Sequence, residues 1–201
     1  MYEKFGKRAA DIALSSIALV ILFPILVILA LAIKLDSRGP ALFRQKRFGK
    51  DKGMFYIYKF RTMYADAPGD VPTDKMKDAE KHITRMGRVL RKTSLDELPQ
   101  IINILKGEMS IIGPRPALWN QDNLIALRDK YDANRAVPGL TGLAQVNGRD
   151  ELDEDEKARY DGYYASHISL EMDIKCFLKT FISVVKCEGV VEGSNKAPKS
   201  T

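Results

Sequence analysis

The sequence predicts a mostly helical α/β chain held at a membrane, and three observations lead there. One long uncharged apolar run lies near the N-terminus, two strand-like segments flank a glycine- and lysine-rich turn, and most of the remaining chain has helical periodicity. Ile12 to Ile33 is 22 residues without a charge, 19 of them apolar, the exceptions being Ser15, Ser16 and Pro24. As a helix this run would reach about 33 Å, near the ~30 Å of bilayer hydrocarbon. No second run of that length occurs, so a transporter is excluded. A purely soluble protein is excluded by the first.

The run is too long for a secretory leader, and charges rather than small residues come after it. Lys4, Lys7 and Arg8 precede it, and Lys34 and Arg38 lie beyond it, so the positive-inside bias selects neither end. Pro24, near the middle, favours a kink. A spanning helix and a helix that turns back within one leaflet therefore remain equal alternatives. Asp11 borders the run and is expected to pair with Lys7 or Arg8. Residues 1–61 hold 12 Lys/Arg against 4 Asp/Glu, so the whole net charge of +6 lies in this third of the 201 residues. That charge calls for anionic partners at a membrane surface. The two cysteines, Cys176 and Cys187, would lie about 16 Å apart on one helix. They read as reduced thiols of a cytoplasmic domain.

After Gly39-Pro40, Ala41 to Arg47 and Met54 to Arg61 read as strands joined by the turn Gly49 to Gly53, a hairpin rich in lysine and arginine. Tyr64 to Lys81 reads as a loop leading into helix. Ile83 to Arg91 is a short basic helix, and Ser94 to Lys106 a stronger one that Gly107 ends. Met109 to Ile112 is a buried strand, Leu118 to Tyr131 a helix, and Pro138 to Arg149 a glycine-rich turn region. Asp150 to Glu156, six acids in seven residues, is a solvated helix start. Met172 to Lys186 is amphipathic, with Ile174, Phe177, Leu178, Phe181 and Val185 on one side. The expected domains are a membrane region 1–38, a catalytic domain 39–190 and a polar tail 191–201.

Phosphate loops of the G-x-x-x-x-G-K-[ST] type, G-x-G-x-x-G and G-x-S-x-G are absent, and His82 and His167 stand apart from any Cys/His cluster. The informative stretch is Ser94-Leu95-Asp96-Glu97. One reading is a capping box, Ser94 at the N-cap and Glu97 three residues on. The other is a functional carboxylate pair, with Asp96 as metal ligand or nucleophile. Arg88, Arg91 and Lys92 precede the pair. Arg115 lies beyond it, stiffened between Pro114 and Pro116 and suited to bidentate phosphate binding. Gln145, Asn147 and Arg149, among glycines, offer groups for a base, sugar or phosphate.

Taken in order, these pieces resemble the bacterial sugar transferases, in particular the small monotopic polyprenyl-phosphate phosphoglycosyl transferases. The resemblance rests on Lys7-Arg8 and the apolar helix, Gln45-x-Arg47-x-Gly49, Lys59-Phe60-Arg61-Thr62-Met63 and Ser94-Leu95-Asp96-Glu97-Leu98-Pro99-Gln100. It continues through Asn103-x-Leu105-Lys106-Gly107-Glu108-Met109-Ser110, Gly113-Pro114-Arg115-Pro116 and Pro138-Gly139-x-Thr141-Gly142-x-x-Gln145-Val146-Asn147-Gly148-Arg149. The set runs from residue 7 to about 187, and the chain has no room for the multi-span region of larger members.

The resemblance implies transfer of a sugar 1-phosphate from a UDP-sugar to undecaprenyl phosphate, releasing UMP. It implies Mg2+, with Asp96 as its ligand and as the nucleophile of a covalent phosphosugar-aspartate, and Glu97 as second member of a dyad. Lys59, Arg61, Arg91, Arg115, Gln145, Asn147 and Arg149 become the expected substrate contacts. It also implies a re-entrant membrane helix, amphipathic interfacial helices, and a small catalytic domain on the cytoplasmic face of the bacterial inner membrane. Two positions depart from the pattern: Phe23 precedes Pro24 where serine is usual, and Glu108 stands where aspartate is usual. The competing reading is a non-enzymatic adaptor binding anionic lipid through the basic hairpin. Nucleic acid is not an expected partner, the sugar is unspecified, and oligomeric state is open, a homo-oligomer included.

Overall fold

The computed structural model describes residues 2–68, 76, 78–148 and 151–186. Helix α1 spans Lys7–Asp36, runs through Pro24, and is the one described helix long and apolar enough to cross a membrane. Its middle is largely exposed, but both ends are built into the rest of the protein. At the N-terminal end Lys7, Asp11 and Ser15, one turn apart on a single face, are buried. At the other end Leu29 and Ile33 pack against Phe60 and Leu90.

The charged residues at the N-terminal end are not paired as expected. Lys7 donates to Asp173 Oδ2 at 2.6 Å, and Arg8 caps the carbonyls of Ile104 and Leu105 at 2.5 and 2.8 Å. Asp11 instead accepts from Ile111 N at 2.9 Å and Ser110 Oγ at 3.1 Å. The tertiary partners prevail because they are buried, where each unpaired donor or carboxylate would cost far more than a solvated helix pair gains.

Strands β1 (Leu42–Phe48) and β2 (Met54–Phe60) form the expected hairpin, with Gln45 opposite Ile57 and Arg47 opposite Phe55. The free edge of β2 is covered by a side chain. Asn103 accepts from Tyr58 N at 3.0 Å and donates to Tyr56 O at 2.8 Å, as a neighbouring strand would. Helices α2 (Ala79–His82) and α3 (Arg85–Thr93) come next. Gly87 lets α3 lie directly on the chain after the hairpin, since a Cβ there would sit 1.9 Å from Thr62 O.

The expected helix from Ser94 is two elements. Leu95–Gln100 is a 3-10 turn, and only Ile101–Lys106 is α-helix, α4. Pro99 is the cause: it has no N–H for the carbonyl of Leu95, and its ring crowds that carbonyl. Strand β3 (Ser110–Ile112) pairs in parallel with β4 (Gly139–Thr141), which was expected to be turn. Helices α5 (Asp122–Lys130) and α6 (Leu143–Val146) flank β4. A capping box does exist, but at Asp153 and Glu156 of α7 (Glu154–Ser166). Helix α8 (Leu170–Lys186) buries Cys176 and Asp173 inward and exposes Leu170, Ile174, Phe177, Leu178, Phe181 and Ile182. The tail 191–201, Cys187, Arg149 and the side chain of Val185 lie outside the described residues.

Candidate active site

The turn that carries Asp96 is fixed from below by apolar packing. Leu95 and Leu98 pack with Leu29, Ile33, Phe60 and Leu90, so the base of the turn rests on the C-terminal end of α1. Ser94 adopts a left-handed conformation (φ 56°) that closes α3, and its side chain makes no cap bond. The capping reading of Ser94 and Glu97 therefore fails. Glu97 turns its carboxylate to two cations instead. Its Oε1 lies 2.8 Å from Lys59 Nζ and 2.6 Å from Arg115 Nη2, with Arg115 Nη1 3.5 Å from Oε2. Burial pushes Glu97 upward, but Arg115 and Lys59 outweigh it and hold this carboxyl well below the usual range. Burial in turn pulls the Lys59 ammonium down, opposed by the charge of Glu97.

Asp96 is treated oppositely by its surroundings. Burial pushes its carboxyl up; Lys59 opposes this, Glu97 adds to it, and Arg91 and Arg115 oppose it. The two adjacent carboxyls are thus pushed in opposite directions by their surroundings. Asp96 opens onto a cavity of about 270 Å³ under the hairpin and is the one acidic residue among its described lining. Gln45, Arg47 and Lys59 reach the cavity from the strands, Arg61 and Thr62 from the segment after β2, and Arg91 from α3. Arg91 Nε donates to Thr62 Oγ1 at 2.9 Å.

Of the expected contacts, the fold brings Lys59, Arg61 and Arg91 to this cavity and Arg115 to Glu97. Arg61 does something the sequence did not suggest. Its Nη groups donate to the carbonyls of Ser37 and Arg38 and to Ser37 Oγ, capping α1 with a guanidinium. Gly39 makes room for it by taking φ 122°; a Cβ there would lie 2.1 Å from Arg61 Nη1. Gln145 and Asn147 are not among the cavity's lining residues. Both are on or beside α6, where Asn147 accepts from Lys179 at 3.2 Å and Gln145 keeps a buried amide with no partner among the described residues. Gln45, Arg47 and Thr62 are the residues missed. For the first two a signal was present: Gln45 and Arg47 alternate with Arg44 and Lys46 on β1, which puts both on the face opposite the exposed one.

Among the described residues no group of three or more His, Cys, Asp or Glu could hold a metal alone. Asp96 still fits Mg2+, which is commonly held by one or two carboxylates with substrate phosphates and water completing its shell. Glu97 is already occupied by its two cations.

Comparison with known proteins gives the family. The family model "Bacterial sugar transferase" matches residues 2–187. The chain is 43% identical over 183 residues to the UDP-glucose:undecaprenyl-phosphate glucose-1-phosphate transferase of Escherichia coli K12, covering 87% of this chain and 39% of that protein. It is 36% identical over 202 residues to the undecaprenyl-phosphate galactose phosphotransferase of Salmonella typhimurium, covering 93% of this chain and 42% of that one. The exopolysaccharide production protein PSS of Rhizobium leguminosarum is 41% identical over 187 residues, covering 88% of this chain and 94% of its own length. The chain thus spans about two-fifths of the length of the first two relatives. A family match across nearly the whole chain makes this protein a member of the bacterial sugar transferase family.

Proposed function

We propose that the protein transfers a sugar 1-phosphate from a UDP-sugar to undecaprenyl phosphate, with Asp96 as the nucleophile. The observation that carries this is the split environment of the dyad: Glu97 is neutralised by Lys59 and Arg115, while Asp96 is left facing the cavity. In the first step an Asp96 oxygen bonds to the phosphorus bearing the sugar, the phosphoanhydride breaks, and UMP leaves with the bonding pair. In the second step an oxygen of undecaprenyl phosphate bonds to the same phosphorus and the acyl phosphate breaks, restoring Asp96. Both nucleophiles are already anions, so no strong base is required. The obstacle is anion meeting anion, which fixed cations relieve. Lys59 and Arg91 supply that field at the cavity, Arg115 beside it, and Arg47 from β1. Asp96 would hold Mg2+, which supplies further neutralisation of the diphosphate when bound. Glu97 fixes Lys59 and Arg115 rather than reacting.

We also propose that α1 is re-entrant. Lys7 and Ile33 are 26 residues apart, about 39 Å in a straight helix. A helix crossing the bilayer would carry one end far from the domain, yet both ends pack on it. The exposed apolar face of α8 is joined to the start of α1 through Asp173, Lys7 and Tyr2, so both elements are available to one lipid surface. The division at residues 38 and 39, the cytoplasmic facing of the domain and its place at the bacterial inner membrane belong to this proposal. The sugar is left open, since relatives are named for glucose and for galactose.

The test is UMP release from a panel of UDP-sugars with Mg2+ and undecaprenyl phosphate. One donor is expected to be turned over, and Asp96→Asn to abolish turnover. UMP release by the Asn variant at the wild-type rate would refute the assignment.

A further inference from the structure

Pro114 and Pro116 have no N–H, so the segment from Pro114 to Ala117 is poor in donors. Its four carbonyls are nevertheless each held by a different group. Pro114 O accepts from Gly139 N at 2.8 Å, Arg115 O from Arg128 Nη2 at 2.8 Å, Pro116 O from Arg47 Nη1 at 3.0 Å, and Ala117 O from Phe48 N at 2.9 Å. The bond from Arg128 stands out. Arg128 comes from α5 and is itself clamped by Asp161 of α7, whose Oδ2 lies 2.9 Å from Nε and 2.5 Å from Nη2. The two side chains are 7% and 2% exposed.

A pair of buried charges is a poor source of stability, because apolar residues of similar volume commonly serve as well or better. What this pair does that apolar residues would not is donate to the carbonyl of Arg115. The guanidinium of Arg115 is on Glu97. A continuous line of hydrogen bonds therefore runs from α7 through Asp161, Arg128 and the Arg115 main chain to the carboxylate dyad.

We propose that Arg128 and Asp161 are positioning residues for Arg115, setting the main chain from which its guanidinium reaches Glu97. The kinetic consequence rests on the phosphoglycosyl transfer proposed above; the geometric one does not. The test replaces both charges at once, in Arg128→Met with Asp161→Leu, so that neither is left buried alone. This variant is expected to unfold at or above the wild-type temperature, with kcat/KM for UMP release about 10- to 100-fold lower, as misplacement of a distant support can cost. Added to Arg115→Met, the pair is expected to cost less than about threefold, because coupled residues are not additive. A full, multiplicative loss in that background would overturn the inference. If the paired variant does not fold, Arg128→Lys carries the same cycle, since it keeps a charge for Asp161 but loses the fork.

A readout without turnover accompanies this: water exchange of the Arg115 side-chain N–H protons by NMR. It is expected to be slow in the wild type and faster in the variants, and unchanged exchange overturns the inference. If wild-type protein releases no UMP from any donor, the transfer reaction fails while the exchange measurement still decides the positioning.

Discussion

Replacing Glu97 by glutamine tests the electrostatic centre of the site without changing its shape. The side chain is about nine-tenths buried and accepts from Lys59 at 2.8 Å and Arg115 at 2.6 Å. A hydrogen bond to a charged group is worth about 1.5–3 kcal/mol, and a neutral one about 1. Glutamine can keep one neutral acceptor, and it leaves the buried Lys59 ammonium with only the weaker attraction of Asp96. The net loss is about 2–4 kcal/mol. For a chain of this size that corresponds to a fall in Tm of about 5–12 °C.

The pH dependence has a definite sign. The native carboxyl of Glu97 lies below its unfolded value of about 4.3. Its stabilisation is present above that pH and is lost as pH falls through the depressed native value. Thermal unfolding followed by Trp119 fluorescence in lipid nanodiscs, between pH 3 and 8, is the assay. The Gln variant is expected to show a lower Tm at pH 7 and a flatter decline on acidification. Equal Tm values at pH 7 would refute the claim that Glu97 neutralises the two cations.

Asp96→Asn is expected to do the reverse. The raised native value of Asp96 means stability is present below the unfolded value near ~3.9 and lost as pH rises through the native one. The Asn variant should therefore melt higher at pH 7 while releasing no UMP; a lower Tm would contradict the burial cost. Cysteines placed at Glu3 and Arg38 are expected to react with an impermeant maleimide from the same side of a vesicle, and labelling from opposite sides would establish a spanning helix. Chelation with EDTA should stop UMP release and Mg2+ restore it, whereas undiminished turnover in EDTA would exclude the metal.

How much could be read in advance depended on the reach of each signal. The hairpin, α3, α5 and α8 were legible because alternation and helical period are local, and their ends fell within a few residues. Ser94 and Glu97 match the spacing of a capping box, but Pro99 turns the segment into a 3-10 turn and Ser94 closes the helix before it. The same spacing at Asp153 and Glu156 does form the box and was hidden in an acidic run. Arg61 was legible as a cation near the site but not as the cap of α1, since that depends on where the carbonyls of Ser37 and Arg38 come to rest. Asp11 was misread for the same reason: its partners are a hundred residues away in sequence.

The most direct test of the two-step mechanism is the covalent state of Asp96. Wild-type protein incubated with Mg2+ and its UDP-sugar, without undecaprenyl phosphate, should release about one UMP per protein and gain the mass of one sugar phosphate on the peptide holding Asp96. Added undecaprenyl phosphate should remove that mass. UMP release that requires the acceptor from the start, with no adduct on Asp96, would contradict the mechanism.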